Sequence, residues 1–330
     1  MRALLCVDYG PIDMLAVRVS DRLPVGSGQV RVQIEAAALN YPDALIVQGL
    51  YQTKPKLPFI PGSEFAGIVV EVGEGVDCYR TGDRVVVVGG SGGFADEAVV
   101  DASRLMSLPH DVSFEHGACF TVTYGTALRG LRDSAGLKSG ETLLVLGAGG
   151  GVGLAAVEIG RLLGARVIAA ASSQEKLELC RSRGADALIN YETENLRDRI
   201  NEMTAGEGVS VVFDPVGGKY TEAAVRSIRW GGRLIVVGFA SGEISKIPMN
   251  LLLLNERSVK GVFWGESVRR DSLGHEENMK VLWKWLSARA INPHISELIN
   301  LEEVPEFLSK IVNRQASGKI VVSFNQRLAG

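Results

Sequence analysis

The stretch "LGAGGGVGLAAV", residues 146–157, sets a cluster of glycines inside an apolar run. Glycine loses more conformational entropy on folding than any other residue, so a cluster needs a purpose such as a sharp turn or the close approach of another molecule. The apolar residues 142–146 before it predict a strand, and the apolar spacing of residues 152–163 predicts a helix. The glycines therefore occupy a strand-to-helix turn.

This turn fits the glycine fingerprint that binds the pyrophosphate of a dinucleotide. Read from Ala148, with Gly150 and Gly153 at the later positions, it departs from GxGxxG only in its first residue. Gly150 would let the backbone approach the pyrophosphate, and Gly153 would let the helix pack close to the strand. The N–H groups at the helix start, Gly151 and Val152, would face the phosphates. A glycine turn without a ligand is the alternative, which the repeated strand and helix units around it disfavour.

The next strand indicates which dinucleotide is bound. In NAD-binding proteins an acidic residue about 20 positions further on bonds the ribose hydroxyls. Here Ala171 stands at that place, followed by Ser172, Ser173 and Lys176. A carboxylate would repel a 2′-phosphate, whereas hydroxyls and a lysine can pair with it. The sequence thus predicts NADPH rather than NADH, although Lys176 alone could be an ordinary exposed residue at a helix start.

Strand patterns divide the chain into two kinds of structure. Residues 30–34, "VRVQI", alternate apolar and polar positions, and similar short strands fill the first third, which predicts a sandwich or partly closed barrel. From about residue 143, near-continuous apolar strands alternate with helical segments, which predicts a doubly wound parallel sheet. The strand "GKIVVSF", residues 318–324, is expected to return to the β-rich part. The fold class is therefore α/β.

Composition excludes several classes of partner. The chain has 330 residues, 46% of them hydrophobic and 22% charged, and a net charge of −3, so a nucleic-acid partner is not expected. The four cysteines lie far apart without a CxxC pair, which favours a reducing cytosol. Neither a signal peptide nor a membrane-spanning run is apparent. We expect a cytoplasmic protein without a membrane partner.

Five stretches are similar to motifs of one family: "NYPDALIVQGLY" (40–51), "PGSEFAG" (61–67), "GETLLVLGAGGGVG" (140–153), "VVFDPVGG" (211–218) and "GVFWG" (261–265). Through them the chain resembles the medium-chain dehydrogenase/reductase superfamily, in particular its zinc-independent quinone oxidoreductase (zeta-crystallin-like) branch. The resemblance implies a GroES-like catalytic domain (1–122), a Rossmann NADPH-binding domain (123–264), a C-terminal segment (265–330) that completes the catalytic domain, and a cofactor cleft at the junction. It also implies a homodimer, for which "SVKGVFW" (258–264) is the candidate pairing edge.

Zinc-using relatives hold a catalytic metal with a cysteine, a histidine and a second cysteine. This chain has Asn40 and Ser63 at the first two positions and Cys119 near the third, and one thiolate cannot hold a zinc ion that needs three protein ligands. No metal is therefore expected. Hydride transfer to a small-molecule quinone or enone does not require a metal ion, because the negative charge that arrives with the hydride spreads through the conjugated system to oxygen. Orientation of the acceptor beside the nicotinamide and one hydrogen-bond donor to that oxygen can then suffice.

The candidate catalytic residues are Asn40, Tyr51 and Thr123. Asn40 could hold the nicotinamide or the carbonyl oxygen, or merely bond a turn amide. Tyr51 could protonate the reduced oxygen, or pack as an aromatic residue with an exposed hydroxyl. Asp43 is expected to be structural, because an anion beside a developing enolate would be unhelpful.

The resemblance also implies further contacts with the cofactor. Tyr191 and Arg314 match positions that help to hold the adenosine phosphate, and other matching positions lie near the nicotinamide. Phe263 could wall the acceptor pocket or belong to a core or interface. The predicted nicotinamide-side residues are Gly217, Gly238, Phe239, Phe263 and Gly265.

Two other functions fit the same motifs. An enoyl reductase acting on α,β-unsaturated carbonyls or acyl thioesters would use the same hydride geometry. A non-catalytic protein that binds NADPH as a sensor or a structural component would need only the cofactor site.

Overall fold

The computed structural model describes residues 1–324, and the chain forms two compact units. The β-rich unit comprises Met1–Val122 and the described residues from Ile295 onward, and the parallel-sheet unit comprises Thr123–His294. This corrects the division predicted from the sequence, which joined residues 265–294 to the first unit. Those residues belong to the second unit because their helices bond to it: Asn278 Nδ2 donates to Asp133 at 2.8 Å.

The β-rich unit is built around a seven-stranded sheet in the order β14-β15-β3-β4-β5-β7, with β6 paired to β3 and a separate pair β1-β2. Val30, Val32 and Ile34 alternate along β3 and are fully buried, which is the pattern predicted for "VRVQI". The strands are β1 (Arg2–Leu5), β2 (Ala16–Val19), β3 (Gln29–Ala38), β4 (Glu64–Val72), β5 (Arg84–Val88), β6 (Glu97–Asp101), β7 (Leu105–Ser107), β14 (Ile295–Ile299) and β15 (Lys319–Ser323). The helices are α1 (Tyr41–Val47), α2 (Phe114–Ala118) and α11 (Val304–Val312).

The parallel-sheet unit contains six strands in the order β10-β9-β8-β11-β12-β13, every neighbouring pair parallel. The strands are β8 (Thr142–Leu146), β9 (Arg166–Ala171), β10 (Ala187–Asn190), β11 (Val209–Asp214), β12 (Ile228–Val236) and β13 (Ser258–Gly261). The helices are α3 (Thr121–Leu128, whose first two residues precede the unit), α4 (Gly151–Leu162), α5 (Gln174–Ser182), α6 (Leu196–Met203), α7 (Lys219–Arg226), α8 (Asn250–Leu253), α9 (Trp264–Arg270) and α10 (Ser272–Ser287). The predicted α/β class is confirmed, and α4 begins one residue earlier than predicted. In residues 1–324, no helix combines the length and apolar character that crossing a bilayer requires.

A buried carboxylate joins the two ends of the parallel-sheet unit. Glu158 lies within α4, and its Oε2 accepts hydrogen bonds from the Tyr124 hydroxyl at 2.7 Å and from Asn292 N at 3.2 Å. Arg183 donates to Glu158 Oε1 at 3.2 Å and to Asn292 O at 2.7 Å. Burial raises the pKa of Glu158, and the bonds to Tyr124 and Asn292 oppose that rise. The first and last segments of the unit are thus held at one side chain.

Candidate active site

The glycine turn lies where β8 ends and α4 begins, as predicted. Gly147 takes the left-handed conformation, φ +58°, and Ala148 N donates to Ala170 O at 3.0 Å. A Cβ on Gly153 would lie 2.2 Å from Gly147 O and 2.7 Å from Ala148 Cα, so only glycine lets α4 pack this close to the turn. The sharp bend falls at Gly147, which the sequence reading from Ala148 passed over although it directly follows the strand.

The first turn of α4 is open to an anion. Gly150 precedes the helix with φ −83° and ψ 170°, and no side chain in the described part of the chain caps the helix there. The N–H groups of Gly151, Val152 and Gly153 have no acceptor within the helix, and they carry the positive end of the helix dipole. A Cβ on Gly150 would have only Gly147 O within 4 Å, at 3.5 Å. This bare cradle fits a dinucleotide pyrophosphate.

The end of β9 carries the residues predicted to select NADPH. Ala171 is buried, and Ser173 caps α5 by accepting a hydrogen bond from Lys176 N at 3.3 Å. The aliphatic part of the Lys176 side chain packs against Gly149 in the glycine turn. A Cβ on Gly149 would lie 2.6 Å from Lys176 Cβ. Ser172 lies between the strand and this cap. Lys176 therefore lies next to the glycine turn that is predicted to bind the pyrophosphate.

Two further turns meet at the carboxyl ends of β11 and β12. A Cβ on Gly217, φ +73°, would lie 2.8 Å from Phe239 Cδ1. Gly238 N donates to Asp214 O at 3.4 Å, which links the two turns. Beyond β10, the ring of Tyr191 lies 4.3 Å from that of Tyr220 between centroids. The same edge of the sheet that carries the glycine turn therefore also carries Gly217, Gly238 and Phe239. Open α/β sheets bind their ligands at this edge, beyond the carboxyl ends of the strands.

The remaining predicted residues belong to both units. Phe263 directly precedes α9 and is about half exposed, and Gly265 is the second residue of that helix. Thr123 is buried and is the first residue of the parallel-sheet unit. Arg314 belongs to the β-rich unit, where it follows α11 in a left-handed conformation, φ +59°. The roles given to these residues stay predictions.

A second group, the buried polar cluster, lies in the β-rich unit and comprises five buried residues and the partly exposed Ser63. The buried residues are Asn40, Asp43, Glu64, Thr121 and Lys319. Neighbouring strands position it: β3 ends just before Asn40, β4 begins at Glu64 and β15 begins at Lys319. The ammonium of Lys319 donates to Asn40 Oδ1 at 2.6 Å, Leu39 O at 3.1 Å and Glu64 Oε2 at 3.3 Å. Each proton of the ammonium therefore has an acceptor.

The carboxylate of Glu64 is equally well satisfied. Its Oε2 also accepts from Asn40 Nδ2 at 3.0 Å, and its Oε1 accepts from Thr121 Oγ1 at 2.9 Å and Val122 N at 2.8 Å. Such bonds offset the cost of burying a charge. Neither Glu64 nor Lys319 was predicted from the sequence. The available signal was a charged residue at the first position of a mainly apolar strand.

Asp43 contacts Asn40 and Ser63, and Tyr51 lies close enough to Asp43 for the two side chains to interact electrostatically. Asp43 accepts from Asn40 N at 2.8 Å and from Ser63 N and Oγ at 3.2 and 2.9 Å, in keeping with the structural role expected for it. Burial raises the pKa of Asp43 to about 6, although these hydrogen bonds oppose the rise. The pKa of Tyr51 is also raised, first by burial and then by the charge of Asp43. The Tyr51 phenol therefore keeps its proton at neutral pH.

We expect Asp43 to make folding stability decline between about pH 4 and pH 6. The folded protein keeps the Asp43 proton up to about pH 6, whereas an unfolded aspartate ionises near pH ~4. The native state then binds more protons in this window, so the free energy of unfolding falls as the pH rises, by about 3 kcal/mol in total. Urea unfolding of wild type and Asp43→Asn at several pH values measures the effect. The stability difference between the two should shift across this window, and a constant difference would contradict the assignment.

Comparison with known proteins supports these two units. A model described as the alcohol dehydrogenase GroES-like domain matches residues 26–110, and one described as zinc-binding dehydrogenase matches residues 151–287. The chain is 39% identical over 328 residues to quinone oxidoreductase-like protein 2 homolog of Nematostella vectensis, covering 98% of this chain and 89% of the relative. It is 37% identical over 323 residues to quinone oxidoreductase-like protein 2 of Bos taurus, covering 98% and 92%. The structure of Escherichia coli quinone oxidoreductase complexed with NADPH has a TM-score of 0.91 and 26% identity, covering 98% of this chain and all of that one.

A GroES-like unit that carries a Rossmann unit within its chain defines a medium-chain dehydrogenase or reductase. Within this class, the chain belongs to the quinone oxidoreductase branch, since full-length relatives of that name exceed 30% identity. The resemblance predicted from the sequence is confirmed, and so is the GroES-like character of the β-rich unit.

One matching family model is named for zinc, but the side chains at the three predicted ligand positions do not fit a zinc ion. The Asn40 carboxamide is 2.6 Å from the ammonium of Lys319, whose charge would repel a second cation. The Ser63 hydroxyl donates to Asp43. Cys119 is completely buried, which raises the pKa of its thiol and disfavours the thiolate that zinc binds. In the described part of the chain, no group of three or more His, Cys, Asp and Glu side chains could hold a metal ion.

Proposed function

We propose that the protein reduces quinones or other activated carbonyl compounds by metal-independent hydride transfer from NADPH. The observation that carries this proposal is the uncapped start of α4 at a glycine turn crossed by Lys176, with no carboxylate at the end of β9. The NADPH complex of the similar Escherichia coli quinone oxidoreductase supports the choice of cofactor. The proposed location is the cytoplasm, as the composition predicts.

The residues of the parallel-sheet unit would bind the cofactor. The N–H groups of Gly151, Val152 and Gly153 would hold the pyrophosphate, and the Lys176 ammonium would pair with the 2′-phosphate. The turns at Gly217 and Phe239 would border the nicotinamide. When bound, NADPH supplies a hydride.

The residues of the β-rich unit would serve the acceptor. The Asn40 amide donates a hydrogen bond to the acceptor oxygen, which stabilises the negative charge as it develops there. The Tyr51 phenol, neutral because its pKa is raised, can supply the proton that the reduced oxygen needs. No charged base is required, because the conjugated acceptor carries the charge to oxygen.

We expect Lys176→Ala to weaken NADPH binding about 10- to 100-fold, the range for a lost charge-assisted hydrogen bond. NADH binding should stay unchanged, because NADH has no 2′-phosphate. Titration of chelator-treated protein, followed by nicotinamide fluorescence, measures both. Lys284→Ala, an exposed lysine on α10, is the control and should affect neither cofactor. Equal losses for the two cofactors would contradict the proposed role of Lys176.

Addition of 1,4-benzoquinone to the same cuvette tests the reaction itself. Metal-free oxidation of bound NADPH supports the proposal. Binding without oxidation across a panel of quinones and enones would contradict it and favour a sensor. Transfer of deuterium from the cofactor's C4 to the β-carbon of an enoyl substrate, with quinones inert, would instead identify an enoyl reductase.

We also propose that two copies of the chain associate through β13. This strand ends the six-stranded sheet, and all four of its residues are exposed. Met249, Leu253 and Leu254 nearby in the chain are more than 60% exposed, which is unusual for large apolar side chains. Light scattering should give a dimer for wild type and a monomer for Val259→Asp/Leu253→Asp. Leu273→Asp, on an exposed position of α10, should remain dimeric; a wild-type monomer at all concentrations would contradict this.

A further inference from the structure

The Asn40 carboxamide is held from opposite ends by opposite charges. Its Oδ1 accepts from the Lys319 ammonium at 2.6 Å, and its Nδ2 donates to the Glu64 carboxylate at 3.0 Å. All three side chains are buried, so water screens neither contact effectively. The two strand starts that carry Lys319 and Glu64 set these distances.

A carboxamide is nearly symmetric in shape, so packing alone does not select one of its two orientations. In the reversed orientation, the NH2 group would face the ammonium of Lys319, and the carbonyl oxygen would face the carboxylate of Glu64. Both contacts would be repulsive, and both buried charges would lose a hydrogen bond. The ion pair, in which Lys319 Nζ and Glu64 Oε2 lie 3.3 Å apart, therefore favours the observed orientation over the reversed one.

In that orientation, one of the two N–H groups of the Asn40 side chain does not take part in the contacts with Lys319 and Glu64. Nδ2 has two protons and one is donated to Glu64, while in residues 1–324 the second has no acceptor. Asn40 retains 6% exposure, so the cluster does not fully enclose it. A donor that is held in place before the reaction stabilises a developing charge without reorganisation.

We propose that Lys319 and Glu64 are positioning residues that orient the Asn40 amide so that it presents an N–H, and not a carbonyl oxygen, to the oxygen of the acceptor. This inference rests on the proposed hydride transfer to quinones. In this proposal, the buried ion pair determines that the N–H end of the Asn40 amide faces the acceptor. Neither charged residue contacts the acceptor, so their effect on the rate must pass through Asn40.

A double-mutant cycle on kcat separates this role from a general structural one. Lys319→Met/Glu64→Gln removes both charges together, so that no unpaired buried charge remains. The cycle compares this pair of changes in two backgrounds, wild type and Asn40→Ala, with NADPH and 1,4-benzoquinone. Thermal unfolding and NADPH affinity are measured on every variant to confirm that each is folded and binds the cofactor.

We expect Asn40→Ala to lower kcat about 100-fold, as loss of one such donor does. Lys319→Met/Glu64→Gln should lower kcat about 10-fold in the wild-type background and less than 2-fold in the Asn40→Ala background, because a residue that acts only through Asn40 has nothing left to orient. The KM for NADPH should not change.

Two results would overturn the inference while the proposed function stands. An equal loss in both backgrounds would show that the ion pair supports the unit as a whole, and a loss below 2-fold in the wild-type background would show that the orientation does not limit catalysis. A wild-type protein that binds NADPH but reduces no quinone would instead overturn the proposed function, and the inference with it.

Discussion

Gly153→Ala should weaken NADPH binding at least 100-fold and lower the free energy of unfolding by about 2–3 kcal/mol, the cost of an overpacked contact. The added methyl group would lie 2.2 Å from Gly147 O and 2.7 Å from Ala148 Cα. Both are backbone atoms, so no side-chain rotation relieves the clash. The start of α4 must move away from the turn, and its first N–H groups move with it. Fluorescence titration and urea unfolding measure the two effects.

Gly150→Ala separates binding from folding. At Gly150 a methyl group would have only one neighbour within 4 Å, at 3.5 Å, and the backbone has a conformation that alanine adopts readily. Stability should change by less than about 0.5 kcal/mol, while NADPH affinity falls because the methyl group occupies the path of the pyrophosphate. Lys284→Ala, at an exposed position on α10, should alter neither property. Undiminished NADPH binding by Gly150→Ala would contradict this location of the pyrophosphate.

Lys319→Met alone should destabilise the protein by about 3–5 kcal/mol, because it leaves Glu64 charged and buried without a cation. Adding Glu64→Gln should recover most of this loss, since a neutral amide costs less to bury. Urea unfolding followed by far-UV circular dichroism measures the stability of the whole chain. All four tryptophans lie within residues 123–294, so tryptophan fluorescence follows the parallel-sheet unit separately.

The matched control is a surface ion pair. Lys310 and Glu306 lie 2.7 Å apart on α11, with side chains 40% and 64% exposed, and Lys310→Met should cost less than about 1 kcal/mol. A loss for Lys319→Met no larger than that of Lys310→Met would contradict the buried pair. The same would follow if Glu64→Gln failed to rescue it.

Local patterns predicted the parallel-sheet unit well, because its signals are close together in the sequence. The strand, the glycine turn and the helix stripe lie within residues 142–163, and each constrains the next. The strand Thr142–Leu146 was predicted with its observed bounds, and the helix start differs by one residue. Lys176 was predicted from its spacing, but its contact with Gly149 was not, because it depends on how α5 packs beside the turn.

The buried polar cluster was predicted only in part. Asn40 was identified through a motif, whereas Lys319, 279 residues away in the chain, was not. Asn40 and Lys319 come into contact because β15 pairs with β3. The sequence of either strand alone does not indicate which strand it pairs with. The boundary near residue 265 was misjudged for a similar reason: Asn278 bonds to Asp133, and this long-range contact leaves no periodic pattern.

The bonds of Glu158 also bear on how such a chain can arise. One oxygen of this carboxylate receives Tyr124, near the entry of the parallel-sheet unit, and Asn292, near its exit. A domain whose two ends lie close together can be inserted into a surface loop of another domain without separating the ends of that loop. Glu158 thus holds the entry and exit segments of the parallel-sheet unit next to each other.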